Sequence, residues 1–185
     1  MHSDDELYRA YLRGDTPAYD ELMIRYGDSL TFFLNGYLHD PDDAEDLMVE
    51  AFARIMAARP HIREGGFKAY LYKTARNLAS RFSRSRKRMQ TFSLEECDVD
   101  ALPDPYLPEK KILNGERRAA LRLCMERIGP DMREALYLVY LEGLSYAEAA
   151  DVLHVGRKKI DNLLARGKQA LREELAKEGI TNAYE

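Results

Sequence analysis

Apolar residues recur along this chain at spacings of three and four, which is the period of an amphipathic helix. Three stripes are clear: Tyr19, Leu22, Met23, Tyr26, Leu30, Phe33, Leu34 and Tyr37; Ala44, Leu47, Met48, Ala51, Phe52, Ile55 and Met56; and Phe67, Leu71, Ala75, Leu78 and Phe82. Later helices are predicted near residues 112–127, 131–142, 145–153 and 157–175. No segment alternates as a strand would, so the pattern predicts an all-α protein.

Helix start signals support these assignments. The capping-box spacing Ser-x-x-Glu occurs at residues 3–6 and again at 145–148. Thr16 is the predicted N-cap of the helix that carries Pro17 in its first turn. Asp40 precedes a proline and two more acids, which suit the positive end of a helix dipole.

Residues 90–111 break the helical pattern. They contain three prolines and an excess of acids, which predicts an acidic, proline-containing linker. The chain is therefore expected to form two small helical domains. The predicted division is a first domain over 1–89, the linker over 90–111, a second domain over 112–178 and a tail over 179–185.

The charge of the chain is unevenly distributed. Its formal net charge is −4, but residues 1–60 hold 13 acids and 5 bases, whereas residues 65–94 hold eight bases and no acid. Residues 157–172 have a net charge of +5. Two basic segments inside an acidic protein suit a polyanion held at two separated places, while the rest of the surface repels it or meets another partner.

Composition excludes several classes of protein. The mean hydropathy is −0.51, and no apolar run approaches the roughly 20 residues of a membrane-spanning helix. The acidic start of the chain lacks the apolar core of a secretory signal. Two cysteines and four scattered histidines form no disulfide framework and no metal-ligand spacing. We expect a reduced, cytoplasmic protein with no catalytic residue, no metal and no cofactor.

Residues 143–172 have the pattern of a helix-turn-helix. The first helix ends before a turn at residues 154–156, and the second carries polar side chains on its open side. Two short helices across a tight turn, the second one basic, fit the DNA major groove. An ordinary helical hairpin with a solvated basic face is the alternative. The predicted DNA-contacting residues are Arg157, Lys158, Lys159, Asn162 and Arg166, and Lys168 and Gln169 fall on the same side.

The basic tract over 65–94 interleaves three aromatic residues, Tyr70, Tyr72 and Phe82, with its cations. Cations for phosphates and aromatics for stacking are the means by which single-stranded nucleic acid is held. The alternative is that the aromatics belong to the core, and we favour that for Phe67, Leu71 and Phe82. Nucleic-acid binding is favoured for Tyr70, Arg76, Asn77 and the run Arg84–Arg88.

A third segment carries acids on one face of a helix, at Asp43, Glu45, Asp46 and Glu50. Carboxylate clusters can bind metals or transfer protons. Neither a histidine nor a nucleophile accompanies this cluster, so a solvated face or a protein-docking surface is the preferred interpretation.

These three segments, in this order, resemble the sigma factors of bacterial RNA polymerase, specifically the small extracytoplasmic-function (ECF) group. Residues Asp43–Phe52 are similar to the helix that binds core polymerase. Residues Tyr70–Ala79 are similar to the promoter-melting segment, and Arg81–Arg88 to the adjoining minus-ten helix. Residues Leu144–Arg172 resemble the domain that reads the minus-35 element.

The resemblance implies a transcription factor that is not itself an enzyme, with core RNA polymerase and promoter DNA as partners and an anti-sigma protein as a candidate third. A flipped base of the minus-ten strand is expected near the loop Ile62–Phe67. The implied minus-ten residues are Tyr70, Lys73, Arg76, Asn77, Arg81, Arg84, Arg86, Lys87 and Arg88. The implied polymerase-binding residues are Asp43, Glu45, Asp46, Val49 and Glu50, and the minus-35 residues are those of the helix-turn-helix given above.

The sequence departs from the family pattern at five positions. Tyrosine replaces a frequent tryptophan at Tyr70, and valine replaces a glutamine at Val49. Lys159 and Leu163 stand where the family usually has threonine and arginine, and His154 replaces a turn glycine. The departures in the reading helix leave the promoter sequence open.

Two other functions are compatible with the same residues. A helix-turn-helix regulator would use only the second domain on DNA, with the first as a sensor or dimerisation domain. A pure interaction protein would sequester polymerase or a regulator and bind no DNA. Binding to core polymerase separates the first from a sigma factor, and salt-dependent DNA binding separates the second.

Overall fold

The computed structural model describes the backbone of residues 2–92 and 115–180, with side chains over 2–88 and 120–180. Every regular element in these ranges is helical, and the chain divides into two compact units, 1–106 and 107–185. The predicted all-α class with two small helical domains is confirmed. The helix that precedes the predicted linker continues to Phe92, and the rest of that linker lies outside the described residues, as does most of the predicted tail.

Within its described residues, 2–92, the first unit contains four helices: α1 (Asp4–Leu12), α2 (Thr16–Leu38), α3 (Pro41–Ala58) and α4 (Phe67–Phe92). The predicted capping box opens α1, where the amide of Glu6 donates to Ser3 Oγ at 3.2 Å and the amide of Ser3 donates to Glu6 Oε2 at 2.8 Å.

The prediction that Thr16 is the N-cap of α2 is wrong. Asp15 holds that position, because its backbone is still extended at a ψ of 94° while Thr16 is already helical. Pro17 is tolerated in the first turn, where its missing N–H would have had no helical partner. The prediction at Asp40 is confirmed, since its side chain accepts from the amides of Asp42 and Asp43 at the start of α3.

The core of the first unit is built from the predicted stripes. Its largest fully buried side chains include Leu22, Leu30, Leu34, Phe52, Ile55, Phe67, Leu71 and Tyr72. The burial of Tyr72 corrects the sequence interpretation, which groups this ring with the aromatics available for stacking on bases. Its ring packs 5.3 Å from that of Phe33, and its hydroxyl is 3.0 Å from Ser29 Oγ. The side chain fills the core and cannot meet nucleic acid.

The second unit contains α5 (Gly115–Arg127), α6 (Pro130–Leu136), α7 (Tyr146–Leu153) and α8 (Arg157–Lys177). The predicted helix over 131–142 is α6 followed by a π-helical segment, Tyr137–Leu141. There the amide of Glu142 reaches back five residues to the carbonyl of Tyr137 at 3.0 Å.

Close packing of α6 against α8 holds the second unit together. A Cβ built at Gly167 of α8 would lie 3.2 Å from both Leu136 Cγ and Met132 Cβ. The glycine thus brings the two helices near, and it places the neighbouring buried residues Ile160 and Leu164 against the core. One side of α8 is fixed inward, so its opposite side faces solvent.

The turn between α7 and α8 has the predicted length. Ser145 caps α7, donating its amide to Glu148 Oε2 at 2.9 Å and accepting from the amide of Glu148 at 3.3 Å. At the other end His154 has a left-handed φ of 54°. Its amide donates to Asp151 and the amide of Val155 donates to the carbonyl of Ala150, which is the Schellman pattern of helix termination.

A glycine at position 154 is expected to stabilise this turn. A residue with a Cβ is destabilised by about 1 kcal/mol or more in the left-handed region, and glycine has no Cβ and avoids this strain. His154→Gly and His154→Ala both remove the imidazole, so their difference isolates the backbone. We expect slower hydrogen exchange of the α7 and α8 amides in His154→Gly than in His154→Ala. Equal exchange in the two variants would contradict this.

Candidate polymerase and nucleic-acid interfaces

The open side of α8 carries the residues predicted to contact DNA. Arg157, Lys158, Lys159, Asn162 and Arg166 are all exposed, while Ile160 and Leu164 on the other side are buried. After the connection at residues 154–156, the first three residues of α8 are exposed to solvent. The arrangement is a helix-turn-helix whose second helix offers cations for phosphates and an amide for a base edge.

Lys168 lies at the edge of that open side and is half-buried, because it packs against the elements beside α8. Its Nζ lies 5.1 Å from the centroid of the Tyr140 ring, and the Tyr140 hydroxyl is 3.3 Å from that of Tyr146. The hydrogen bond with Lys168 lowers the pKa of Tyr140, and the same bond raises the pKa of Lys168. The cluster joins three elements, so no local spacing predicted it. Gln169 is exposed but donates to Glu173 at 2.8 Å.

The buried side chains of the basic helix α4 lie within residues 67–79, and exposed cations follow between Arg81 and Arg88. Tyr70 is 38% exposed, so its ring is available for stacking. Lys73, Arg76 and Asn77 are half-buried on the same helix. The remaining predicted minus-ten residues are exposed: Arg81, Arg84, Arg86, Lys87 and Arg88. Phe67 and Leu71 belong to the core, as expected, and Phe82 is half-buried.

One predicted DNA residue is paired with one predicted polymerase residue. Arg86 Nη1 lies 2.9 Å from Asp43 Oδ2 and 3.8 Å from Asp40 Oδ2. Burial and the neighbouring Asp40 raise the pKa of Asp43, and the positive charge of Arg86 opposes that rise. The two surfaces therefore meet along this pair, which links the start of α3 to the second half of α4. The partners are 43 residues apart in sequence, so periodicity did not predict the contact.

The outer face of α3 presents acids around one apolar side chain. Glu45 and Asp46 are exposed, and Val49 is 46% exposed between them and Glu50. Glu50 accepts from Arg54 at 2.6 Å one turn further on. The opposite face of α3 is buried, so this side of the helix is available to a partner. An acidic face with an exposed valine suits a basic protein surface that has an apolar contact of its own.

A short loop over residues 59–66 connects α3 to α4, and Tyr70 lies in the first turn of α4 after it. It begins at Arg59, which has a left-handed φ of 46°, and contains Gly65 with a φ of 72°. The amide of Gly66 donates to the carbonyl of Arg63 at 2.9 Å and closes a β-turn. Ile62 is half-buried, but Phe67 is buried, so Phe67 is not available to a base in this loop.

Within residues 2–88 and 120–180, no group of three or more histidine, cysteine, aspartate or glutamate side chains is arranged to hold a metal ion. In the same ranges, none of the helices combines the length and the apolar character needed to span a bilayer.

Comparisons with known proteins agree with the geometry. The sigma-70 region 2 family model matches residues 22–89, and the sigma-70 region 4 model matches residues 118–171. The ECF RNA polymerase sigma factor SigE of Mycolicibacterium smegmatis is 33% identical over 172 residues, covering 90% of this chain and 65% of that protein. The RNA polymerase sigma-H factor of Pseudomonas aeruginosa is 28% identical, covering 92% of this chain and 93% of that protein.

Two solved structures share the fold. The sigma factor RpoE of Bartonella quintana, solved with the anti-sigma factor NepR, has a TM-score of 0.65 and 23% identity, covering 85% of this chain and 96% of that one. CnrH, solved with the cytosolic domain of CnrY, has a TM-score of 0.63 and 19% identity, covering 94% and 97%. The chain belongs to the sigma-70 family. Within that family it falls in the ECF group, as the resemblance predicted. The chain spans just under two thirds of the length of SigE.

Proposed function

We propose that this chain is a sigma factor: it binds core RNA polymerase, directs it to promoters through the minus-ten and minus-35 elements, and promotes initiation of transcription. The observation that carries the proposal is the division of the first unit into an acidic face on α3 and a run of exposed cations over residues 81–88 of α4. A regulator that used only a helix-turn-helix would need neither surface. Such a factor acts in the cytoplasm, where core polymerase and the chromosome are located.

The second unit, with proposed limits 112–178, reads the minus-35 element through α8. Lys158, Lys159 and Asn162 reach base edges in the major groove, because they occupy the first turns of the exposed side. Arg157 and Arg166 flank them and bind phosphates. Leu163 is half-buried and contributes packing at the edge of this face.

The first unit, with proposed limits 1–89, binds the opened minus-ten strand along α4. The exposed ring of Tyr70 stacks on a base, an interaction worth about 1–3 kcal/mol. Asn77 lies two turns further along the helix and offers an amide to the same strand. The cations from Lys73 to Arg88 neutralise the phosphates that follow.

The outer face of α3 docks on core polymerase. Asp46 and Glu50 provide charge for a basic surface, and Val49 packs against an apolar residue of the partner. An anti-sigma protein is proposed as a regulatory partner, as in the Bartonella complex. Such a protein would act by covering one of these faces.

A titration tests the proposal. The protein is labelled with a fluorophore and titrated with core polymerase, and the complex is then mixed with promoter DNA whose minus-ten segment is unpaired. We expect saturable binding of core, followed by tighter binding of the unpaired DNA than of the full duplex. DNA binding without core binding would support the helix-turn-helix regulator. Core binding without DNA binding would support a sequestering protein.

A further inference from the structure

Helix α1 lies outside the matched sigma-70 region 2, which begins at residue 22. It is nevertheless bound to the loop over 59–66 at both ends of that loop. Asp5 Oδ2 accepts from the amide of Gly65 at 2.6 Å, and the hydroxyl of Tyr8 donates to the carbonyl of Pro60 at 2.9 Å. These contacts join residues 60 and 52 positions apart, so they are tertiary anchors of the loop.

The loop needs such anchors because its own sequence is permissive. Gly65 occupies a left-handed φ of 72° next to a second glycine, and glycine loses more backbone entropy on ordering than any other residue. The space at Gly66 is closed, since a Cβ there would lie 2.9 Å from Arg63 Cγ and 3.0 Å from the Arg63 carbonyl oxygen. The turn is therefore tight, and no Cβ fits at Gly66 unless a neighbouring atom shifts.

The anchoring helix is itself fixed to the body of the unit. Asp4 accepts from Arg25 at 2.5 Å and from the hydroxyl of Tyr26, both on α2. The ring of Tyr8 is 4% exposed and packs 5.4 Å from the ring of Phe67, the first residue of α4. Tyr8 thus contacts the helix that carries Tyr70 as well as the loop before it.

We propose that α1 is a positioning element for base capture: Asp5 and Tyr8 hold the loop over 59–66 in the conformation that receives a flipped base of the minus-ten strand beside Tyr70. The inference rests on the proposed function of α4. Without these anchors, only a fraction of the molecules would hold the loop in the base-binding conformation. The apparent affinity of the protein for the minus-ten strand falls in proportion to that fraction. Asp5 and Tyr8 themselves touch no DNA in this arrangement.

The test compares a double variant, Asp5→Ala with Tyr8→Phe, with the unchanged protein in complex with core polymerase. Tyr8→Phe removes only a hydroxyl and keeps the ring against Phe67. Hydrogen exchange of the amides in 59–66 is measured first. Binding is then measured to promoter DNA with an unpaired minus-ten strand and to copies with one base of that strand replaced.

The expected result is faster exchange at Gly65 and about fivefold weaker binding of the matched strand, with a smaller penalty for the replaced base. Affinity for core and for a minus-35 duplex is expected to stay unchanged. Asp5→Asn keeps an acceptor oxygen and is expected to restore part of the loss. Arg13→Ala is the matched control, because Arg13 is the exposed residue at the C-cap of α1.

Two results would overturn the inference alone: unchanged exchange in the loop, or a mobile loop with unchanged discrimination between bases. A merely structural role would lower core affinity and minus-35 binding in parallel, which would also count against it. If the unchanged protein itself shows no discrimination at the minus-ten strand, the proposed function of α4 fails, and the inference fails with it.

Discussion

Replacing both Asp46 and Glu50 with lysine is expected to lower the affinity for core RNA polymerase more than about 100-fold, because truncating one partner of a buried interfacial charge pair already costs about 2–5 kcal/mol. Both side chains lie on the outer face of α3, opposite its buried residues. The substitution also removes the Glu50–Arg54 pair, but that pair is exposed and contributes little to stability. The measurement is a fluorescence titration with core polymerase.

The matched control is Asp20→Lys with Asp28→Lys. These residues are exposed on α2, and their replacement changes the net charge by the same amount. We expect the control to bind core within about twofold of the unchanged protein, the difference expected of screened, distant charges. Equal losses in the two variants would mean that overall charge, not docking by α3, sets the affinity. Unchanged affinity in the α3 variant would show that the assignment is wrong.

Replacing Lys159 with alanine is expected to weaken binding to the specific promoter by about 1–3 kcal/mol, or roughly 10- to 100-fold, if its ammonium contacts a base edge. The residue lies in the first turn of α8, on the exposed side of the helix-turn-helix. Binding is measured with the complete polymerase complex on promoter DNA and on random DNA, at several salt concentrations.

Two controls separate the kinds of contact that Lys159 could make. A loss of similar size on random DNA, with a salt slope reduced by about 0.9, would identify a phosphate contact instead of a base contact. Arg172→Ala removes an exposed cation about 20 Å further along the same helix and is expected to have little effect on either DNA. No loss on any DNA in Lys159→Ala would remove it from the interface.

Much of the fold follows from local physical chemistry. The apolar stripes predicted the buried faces of α2 and α3, and the two capping boxes predicted the first turns of α1 and α7. The start of α2 was misplaced by one residue, because threonine and aspartate are both good N-caps and only the backbone geometry decides between them.

Tertiary contacts account for what the sequence did not predict. Tyr70 and Tyr72 are both aromatic residues in a basic helix, but α2 covers Tyr72 and leaves Tyr70 exposed. The Arg86–Asp43 pair depends on where the second half of α4 passes the start of α3. Anchoring of the loop by α1 likewise joins residues far apart in sequence. Helical periodicity identifies a face, but packing of the whole unit determines which side chains remain open.

The most direct test of sigma activity is transcription itself. The purified protein is mixed with core RNA polymerase and genomic DNA from its source, and the 5′ ends of the transcripts are mapped. The expected result is a set of new, discrete start sites that share two upstream motifs, and the Asp46→Lys, Glu50→Lys variant is expected to lose them. The absence of new start sites, with the chain folded and core polymerase active on its own, would contradict the proposal that this protein is a sigma factor.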